Sequence, residues 1–127
     1  MDQVKKNKEL VMNYINSLSG VIKTREGCEA FVSDQGLIDH ILFFDGVFPK
    51  YELLIDEVTG EGNRIIIRAR LKGKHEGELN GIPPTFKEVL FPMIVGYEIE
   101  NNKIISHWLM ADQMMLMEQL GVMKQPA

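Results

Sequence analysis

Asp112 directly follows an apolar run, Trp108-Leu109-Met110-Ala111, and its carboxyl is the clearest candidate in the sequence for proton chemistry. Apolar surroundings disfavour the charged form of a carboxyl, which suits it to give up and take back a proton near neutrality. His40, His75 and His107 are the other groups able to shuttle protons in that range. With one cysteine, these three histidines show none of the short ligand spacings of a zinc or iron site, and no metal or other cofactor is expected. Gly73, Gly77 and Gly81 open no helix, so they do not read as a phosphate-cradling loop. Cys28 has no base beside it in sequence and reads as a small core residue.

Such groups act together only if the chain folds them to one place. From Val4 to Leu18 apolar residues recur at three- and four-residue steps, the pattern of an amphipathic helix closed by Gly20. A short second helix starts with Thr24 as its cap, and a third follows Asp34, with Leu37, Ile41, Phe44 and Phe48 in step and Pro49 ending it. After Pro49 the period becomes two. Tyr51, Leu53 and Ile55 begin one strand, and a turn at Gly60 to Asn63 leads into a second from Arg64 to Lys74. A turn-rich loop spans His75 to Thr85. Two long strands follow, about Lys87 to Glu100 and Lys103 to Ala111, and then a helix over Gln113 to Leu120 between Asp112 and Gly121. Helices first and antiparallel strands after them make an α+β fold, with the helices on one face of a single sheet.

A two-residue turn at Asn101-Asn102 sets Glu100 against Lys103 and, counted outward, Tyr97 against Ser106, Val95 against Trp108, Met93 against Met110 and Phe91 against Asp112. In that register Asp112 ends an apolar surface of Phe91, Met93, Val95, Tyr97, Trp108 and Met110. Tyr14, on the first helix, and His40, between Leu37 and Phe44 on the third, face the same interior, and His75 continues the apolar phase of the strand before it. The candidate catalytic residues are therefore Asp112, His75 and His40, with Tyr14, Phe91, Met93, Tyr97, Trp108 and Met110 as the binding surface. His107 falls in the opposite phase and reads as an interface or surface residue. Each candidate also has a plainer role: Asp112 as a helix cap, His40 as a hydrogen-bonded core histidine, His75 as a loop residue, Tyr14 and Trp108 as core aromatics.

Composition narrows the partners. Acidic residues outnumber basic ones, 18 to 14, against a general nucleic-acid surface, and no apolar run approaches the ~20 residues of a membrane span. One domain over residues 1–127 and a reducing, cytoplasmic setting are expected. Six of the eight methionines lie at or after position 93. Their flexible thioethers suit either an adaptable pocket or ordinary core filling. The hairpin's second face is also apolar, which points to a covering subunit.

Asn7-Lys8-Glu9-Leu10-Val11, the Gly73-Lys74-His75-Glu76-Gly77-Glu78 turn, Gly81-Ile82-Pro83-Pro84-Thr85, Ile99 through Trp108, and Asp112 with Glu118-Gln119-Leu120-Gly121 together resemble the SnoaL-like polyketide cyclases, within the nuclear-transport-factor-2-like superfamily. The resemblance implies a cone-shaped fold, a curved sheet around helices, an open apolar pocket and dimerisation through the sheet. It implies that Asp112 is the general acid/base of an intramolecular aldol closure on a small apolar or carbonyl-containing molecule, without metal or cofactor. For His75 it implies pocket polarity or a proton relay. Thr85-Phe86-Lys87 departs from the family's usual Thr-Gly and base after the double proline, implying a different pocket rim. Two further functions are carried on the same fold. One is epoxide hydrolysis by two aspartates and a bridging arginine, against which the phase of Arg64, Arg68 and Arg70 counts. The other is a non-catalytic dimeric ligand-binding module in which Asp112 only caps its helix.

Overall fold

The computed structural model describes residues 2–122. Three helices come first, α1 (Asp2–Leu18), α2 (Arg25–Glu29) and α3 (Gln35–Val47). Four strands follow, β1 (Glu52–Glu61), β2 (Arg64–Lys74), β3 (Glu88–Glu100) and β4 (Lys103–Ala111), and then α4 (Gln113–Leu120). The strands form one antiparallel meander in the order β1-β2-β3-β4, curved around the helices. The α+β expectation and the sequence of elements both hold. No helix among the described residues is long and apolar enough to cross a membrane.

Local chemistry accounts for the boundaries. The Thr24 hydroxyl accepts the Gly27 N–H (3.0 Å) and Asp34 Oδ1 the Leu37 N–H (3.2 Å), each satisfying an amide that the first helical turn leaves unpaired. Gly20 and Gly121 take the left-handed conformation just past α1 and α4, with φ +78° at both. At the hairpin tips Gly62 and the pair Asn101-Asn102 also have positive φ.

The inner face of the sheet carries Ile65, Ile67, Ala69 and Leu71 from β2 and Val89, Phe91, Met93, Val95, Tyr97 and Ile99 from β3, all buried. Val11 and Ile15 of α1 and Ile38 of α3 pack into the same core and are fully enclosed. Outside the sheet the basic stripe of β2 meets acids of β1, Arg68 with Glu57 and Arg70 with both oxygens of Asp56. Those arginines are thereby committed to the outer face. Lys23 is a buried cation that the periodicity gave no sign of. Its Nζ donates to the Val21 and Tyr51 carbonyls (2.9 Å each), lies 3.3 Å from Asp45 and sits 3.9 Å over the Tyr51 ring, fixing that ring against the core.

The β3–β4 register departs from the simple count. Glu100 faces Lys103 and Ile99 faces Ile104, but Glu98 faces Ser106, so Ile105 is an extra, bulged residue. Beyond it every partner is shifted: Tyr97 pairs with His107, Gly96 with Trp108, Val95 with Leu109, Ile94 with Met110 and Met93 with Ala111. Because strand side chains alternate, a one-residue slip exchanges the two faces. Trp108 and Met110, expected inside, lie on the outer face, 48% and 70% exposed, while His107 and Leu109, expected outside, turn inward. The bulge is held from across the chain. Ile104 donates its N–H to Phe31 O and accepts from Ser33 N–H, both at 2.9 Å, and Val32 bridges Ile104 in parallel. On the outside Trp108 folds over Gly96, where a Cβ would come within 2.2 Å of the indole.

Asp112 caps α4, its Oδ1 accepting the Met115 N–H at 2.9 Å. Asp112→Ala should lower unfolding stability by about 1 kcal/mol while Asp112→Asn, another good cap, leaves it within a few tenths; denaturant titrations of the two variants measure this, and equal loss in both would mean that the cap does not stabilise the fold.

Candidate functional site

Between the helices and the inner face of the sheet lies a cavity of about 160 Å3. A void of similar volume in a protein core can hold a benzene-sized molecule. One wall is a stripe of α3: Leu37, His40, Ile41 and Phe44, spaced as one helical face. The sheet supplies Leu53 and Leu71, then Phe91, Met93, Val95 and Tyr97 of β3 and His107, Leu109 and Ala111 of β4. Tyr14, Tyr51, Leu79, Leu116 and Met117 complete most of the rest, and the exposed residues Asn80 and Gln113 place the opening between the 79–82 turn and the start of α4. Among the described residues no Asp, Glu, Lys or Arg side chain is on the wall.

The polar groups fall into two sets. Tyr14 and Tyr97 meet edge to face with ring centroids 5.9 Å apart. Burial, above all, raises the pKa of Tyr14, Tyr97 and Tyr51 well above the usual phenol value, so each is a neutral donor at physiological pH. The second set is imidazole. His40 packs tilted against Phe44 at 4.6 Å and stands 6.5 Å from His107, centroid to centroid. Burial, assisted by the neighbouring His107, lowers the His40 pKa and favours its neutral form. His107 Nδ1 is 2.7 Å from Asp34 Oδ2, and both side chains are about a fifth exposed. Burial works against the charge of Asp34, but hydrogen bonds from His107 and the Leu37 N–H outweigh it and hold the carboxyl below its ordinary pKa. Asp34 is thus ionised, and the proton between the two groups resides on Nδ1.

Of the residues expected at the site, Tyr14, His40, Phe91, Met93 and Tyr97 are on the cavity wall. Trp108 and Met110 are not, for the reason of register given above. Asp112 is exposed and does not line the cavity, although its neighbours Ala111 and Gln113 do. His75 is wholly buried but stands behind Phe48 (ring centroids 5.8 Å), off the wall. Its Nδ1 accepts the Thr85 N–H at 3.1 Å, its backbone bonds Phe86 and Lys87, and so it closes the loop between β2 and β3. Among the late methionines, Met93 and Met117 line the cavity whereas Met114 and Met115 are exposed, and Met123 lies outside the described residues. The sequence reading missed His107 and Asp34. The available signals were Gly96 and Trp108, a glycine and an aromatic suited to face each other across strands, and the adjacent Ile104-Ile105, which breaks strict alternation. Among the described residues no group of three or more His, Cys, Asp or Glu side chains is placed to hold a metal ion.

No curated protein sequence matches the chain. Solved structures do. AclR from Streptomyces galilaeus superposes with a TM-score of 0.83 at 17% identity, over 98% of this chain and 86% of that one. TsrD from Streptomyces laurentii gives 0.80 at 18%, over 94% and 97%. A SnoaL-like polyketide cyclase from Agrobacterium tumefaciens gives 0.76 at 19%, over 91% and 98%. At such identities the likeness shows the fold alone. The family itself is shown by the sequence model for SnoaL-like polyketide cyclase, which matches residues 22–120 and so takes in α3, all four strands and α4: the chain belongs to the SnoaL-like polyketide cyclase family.

Proposed function

We propose that the protein is a cofactor-independent enzyme of the cyclase or isomerase type. It binds a small apolar, carbonyl-containing molecule in the cavity and moves a proton at the carbon beside the carbonyl. The observation that carries this reading is the wall: apolar over most of its area, with neutral phenol donors and imidazoles as its titratable groups. Phenols that keep their protons can hydrogen-bond an oxygen as it gains negative charge, and in a dry site such donors act without reorganising. Imidazole is basic enough to take a proton from activated carbon near neutrality. Asp112, the acid/base that the family resemblance nominates, is exposed, caps α4 at the Met115 amide and does not line the cavity. That cap favours a second reading, a non-catalytic binding module of the same fold.

The two readings separate with 2-indanone, a compact ketone with activated C–H bonds, in D2O. The enzyme reading expects deuterium to enter next to the carbonyl about a hundredfold or more faster than in buffer alone, followed by proton NMR. Binding without exchange would make the protein a binding module, and absence of binding would exclude the ketone from either role.

The exposed apolar residues of the outer face, Ile66, Leu90, Ile94, Trp108 and Met110, supply the surface for a homodimer through the sheet. Sedimentation should show a dimer that Ile94→Glu converts to monomer; a monomeric wild-type chain would refute the assembly.

The depressed pKa values of His40 and Asp34 contribute to the acid side of the stability profile. In both cases the unfolded chain binds the proton more readily than the folded one, so stability is complete above the unfolded pKa and declines as pH falls. Thermal melting should therefore weaken first below about pH 6.5 through His40 and again below about pH 4 through Asp34. His40→Gln should remove the first decline, and an unchanged profile in that variant would assign it elsewhere.

A further inference from the structure

Asp34 accepts two hydrogen bonds with different consequences. Oδ1 caps α3 at the Leu37 N–H, while Oδ2 reaches across to the ring of a residue 73 positions later. We infer that Asp34 and His107 form a proton-transfer pair, with His107 the acid–base residue on the cavity wall and Asp34 the residue that positions it. The inference rests on the proton-transfer reading above and names the group that performs it.

The geometry supports each role. His107 belongs to the cavity wall, so a ligand there meets the imidazole directly. An ionised Asp34 can only accept, so Nδ1 carries the ring proton and Nε2 is the basic nitrogen. This is the arrangement in which a carboxylate sets the tautomer of a histidine and stabilises the imidazolium formed when it takes a proton. The other titratable groups around the ring are few. His40 of α3 stands 6.5 Å away, Tyr97 is its strand neighbour on β3, and Tyr14 of α1 lines the same cavity. On the outer side Arg64 and Glu98, 3.9 Å apart, border the same stretch of sheet and largely offset one another. Asp34 is thus the carboxylate in direct contact with the ring.

For a ketone the step is balanced within the pair and the ligand. Nε2 takes a proton from the carbon beside the carbonyl, and the C–H electron pair becomes the enolate double bond. The carbonyl π pair moves to oxygen, where a phenol O–H can bond it, and the imidazolium charge is shared with Asp34. The proton then returns to carbon or, in a ring closure, goes to the oxygen of the carbonyl under attack. No oxidant, reductant or further reactant enters.

The test combines 2-indanone exchange with nitrogen NMR of 15N-histidine-labelled protein. At pH 8 the spectrum should show His107 protonated at Nδ1 and bare at Nε2; the opposite tautomer would overturn the pair whatever the exchange rates. His107→Gln should lower the exchange rate about a hundredfold or more. Asp34→Asn keeps the α3 cap, since asparagine caps well, but replaces the acceptor charge. It should slow exchange at least tenfold and weaken the preference for Nδ1 protonation in the nitrogen spectrum, in a protein whose circular dichroism shows native helix content. Wild-type exchange that survives in His107→Gln would refute the pair and leave proton transfer in the cavity standing. No wild-type exchange despite indanone binding would refute both. Persistence of the wild-type His107 tautomer and exchange rate in Asp34→Asn would refute the positioning role.

Discussion

Ile104 is tied on both sides of its backbone to the segment between α2 and α3, its N–H to Phe31 and its carbonyl to Ser33. A strand hydrogen-bonded on one edge to β3 and pinned on the other to residues 31–33 cannot slide, so the extra residue at position 105 must be absorbed as a bulge. All partners beyond it follow from that shift. The same pin brings Asp34, two residues past Val32, beside His107, three residues past Ile104. Breaking it would cost more than two backbone hydrogen bonds, because it fixes which side of β4 meets the cavity.

The interior that results is hollow in one place and dense elsewhere. Val11, Ile15, Ile38, Ile65 and Ile67 are fully enclosed, and the rings of Phe44, Phe48 and Phe91 pack in series beside the cavity. An unfilled space forfeits dispersion contacts and costs stability in proportion to its volume. What lines it also costs: an unpaired hydroxyl or imidazole in an apolar setting is expensive unless neutral and bonded. The chain limits that cost by pairing Tyr14 with Tyr97, fixing Tyr51 over Lys23 and keeping His40 uncharged by burial. Those three tyrosines and His40 are therefore neutral, and the charge of Asp34, off the wall, is kept at the helix end where amides and solvent reach it.

How far the sequence could be read depended on the range of the interaction involved. Thr24, Asp34, Asp112 and Gly121 mark helix ends through bonds spanning three or four residues, so the elements and their order were legible. The α3 stripe was legible for the same reason, and it carried His40 to the wall. Tyr14, Phe91, Met93 and Tyr97 followed from alternation on uninterrupted strands and helix faces. The failure lay at Ile105, because two adjacent isoleucines satisfy either register and the choice is made by residues 31–33, more than 70 positions away. One unrecognised bulge exchanged His107 for Trp108 and Leu109 for Met110, and with them the chemical character of that wall. Lys23 was missed for another reason: nothing in a local pattern tells a buried lysine from an exposed one.

Asp34 and Asp112 show why a carboxyl's place in a motif does not settle its chemistry. Both precede a helix, and each accepts an amide three residues on, at 3.2 Å and 2.9 Å. As caps they are the same device. They differ in what the sheet presents to the second oxygen. At Asp34 it is an imidazole facing the cavity; Asp112, one residue past the end of β4, stands in solvent. A carboxylate that also fixes the proton of a histidine extends the field of its helix into the site, whereas one that only caps confines it to the first turn. The register of one strand thereby decides which of two equivalent caps is joined to the interior.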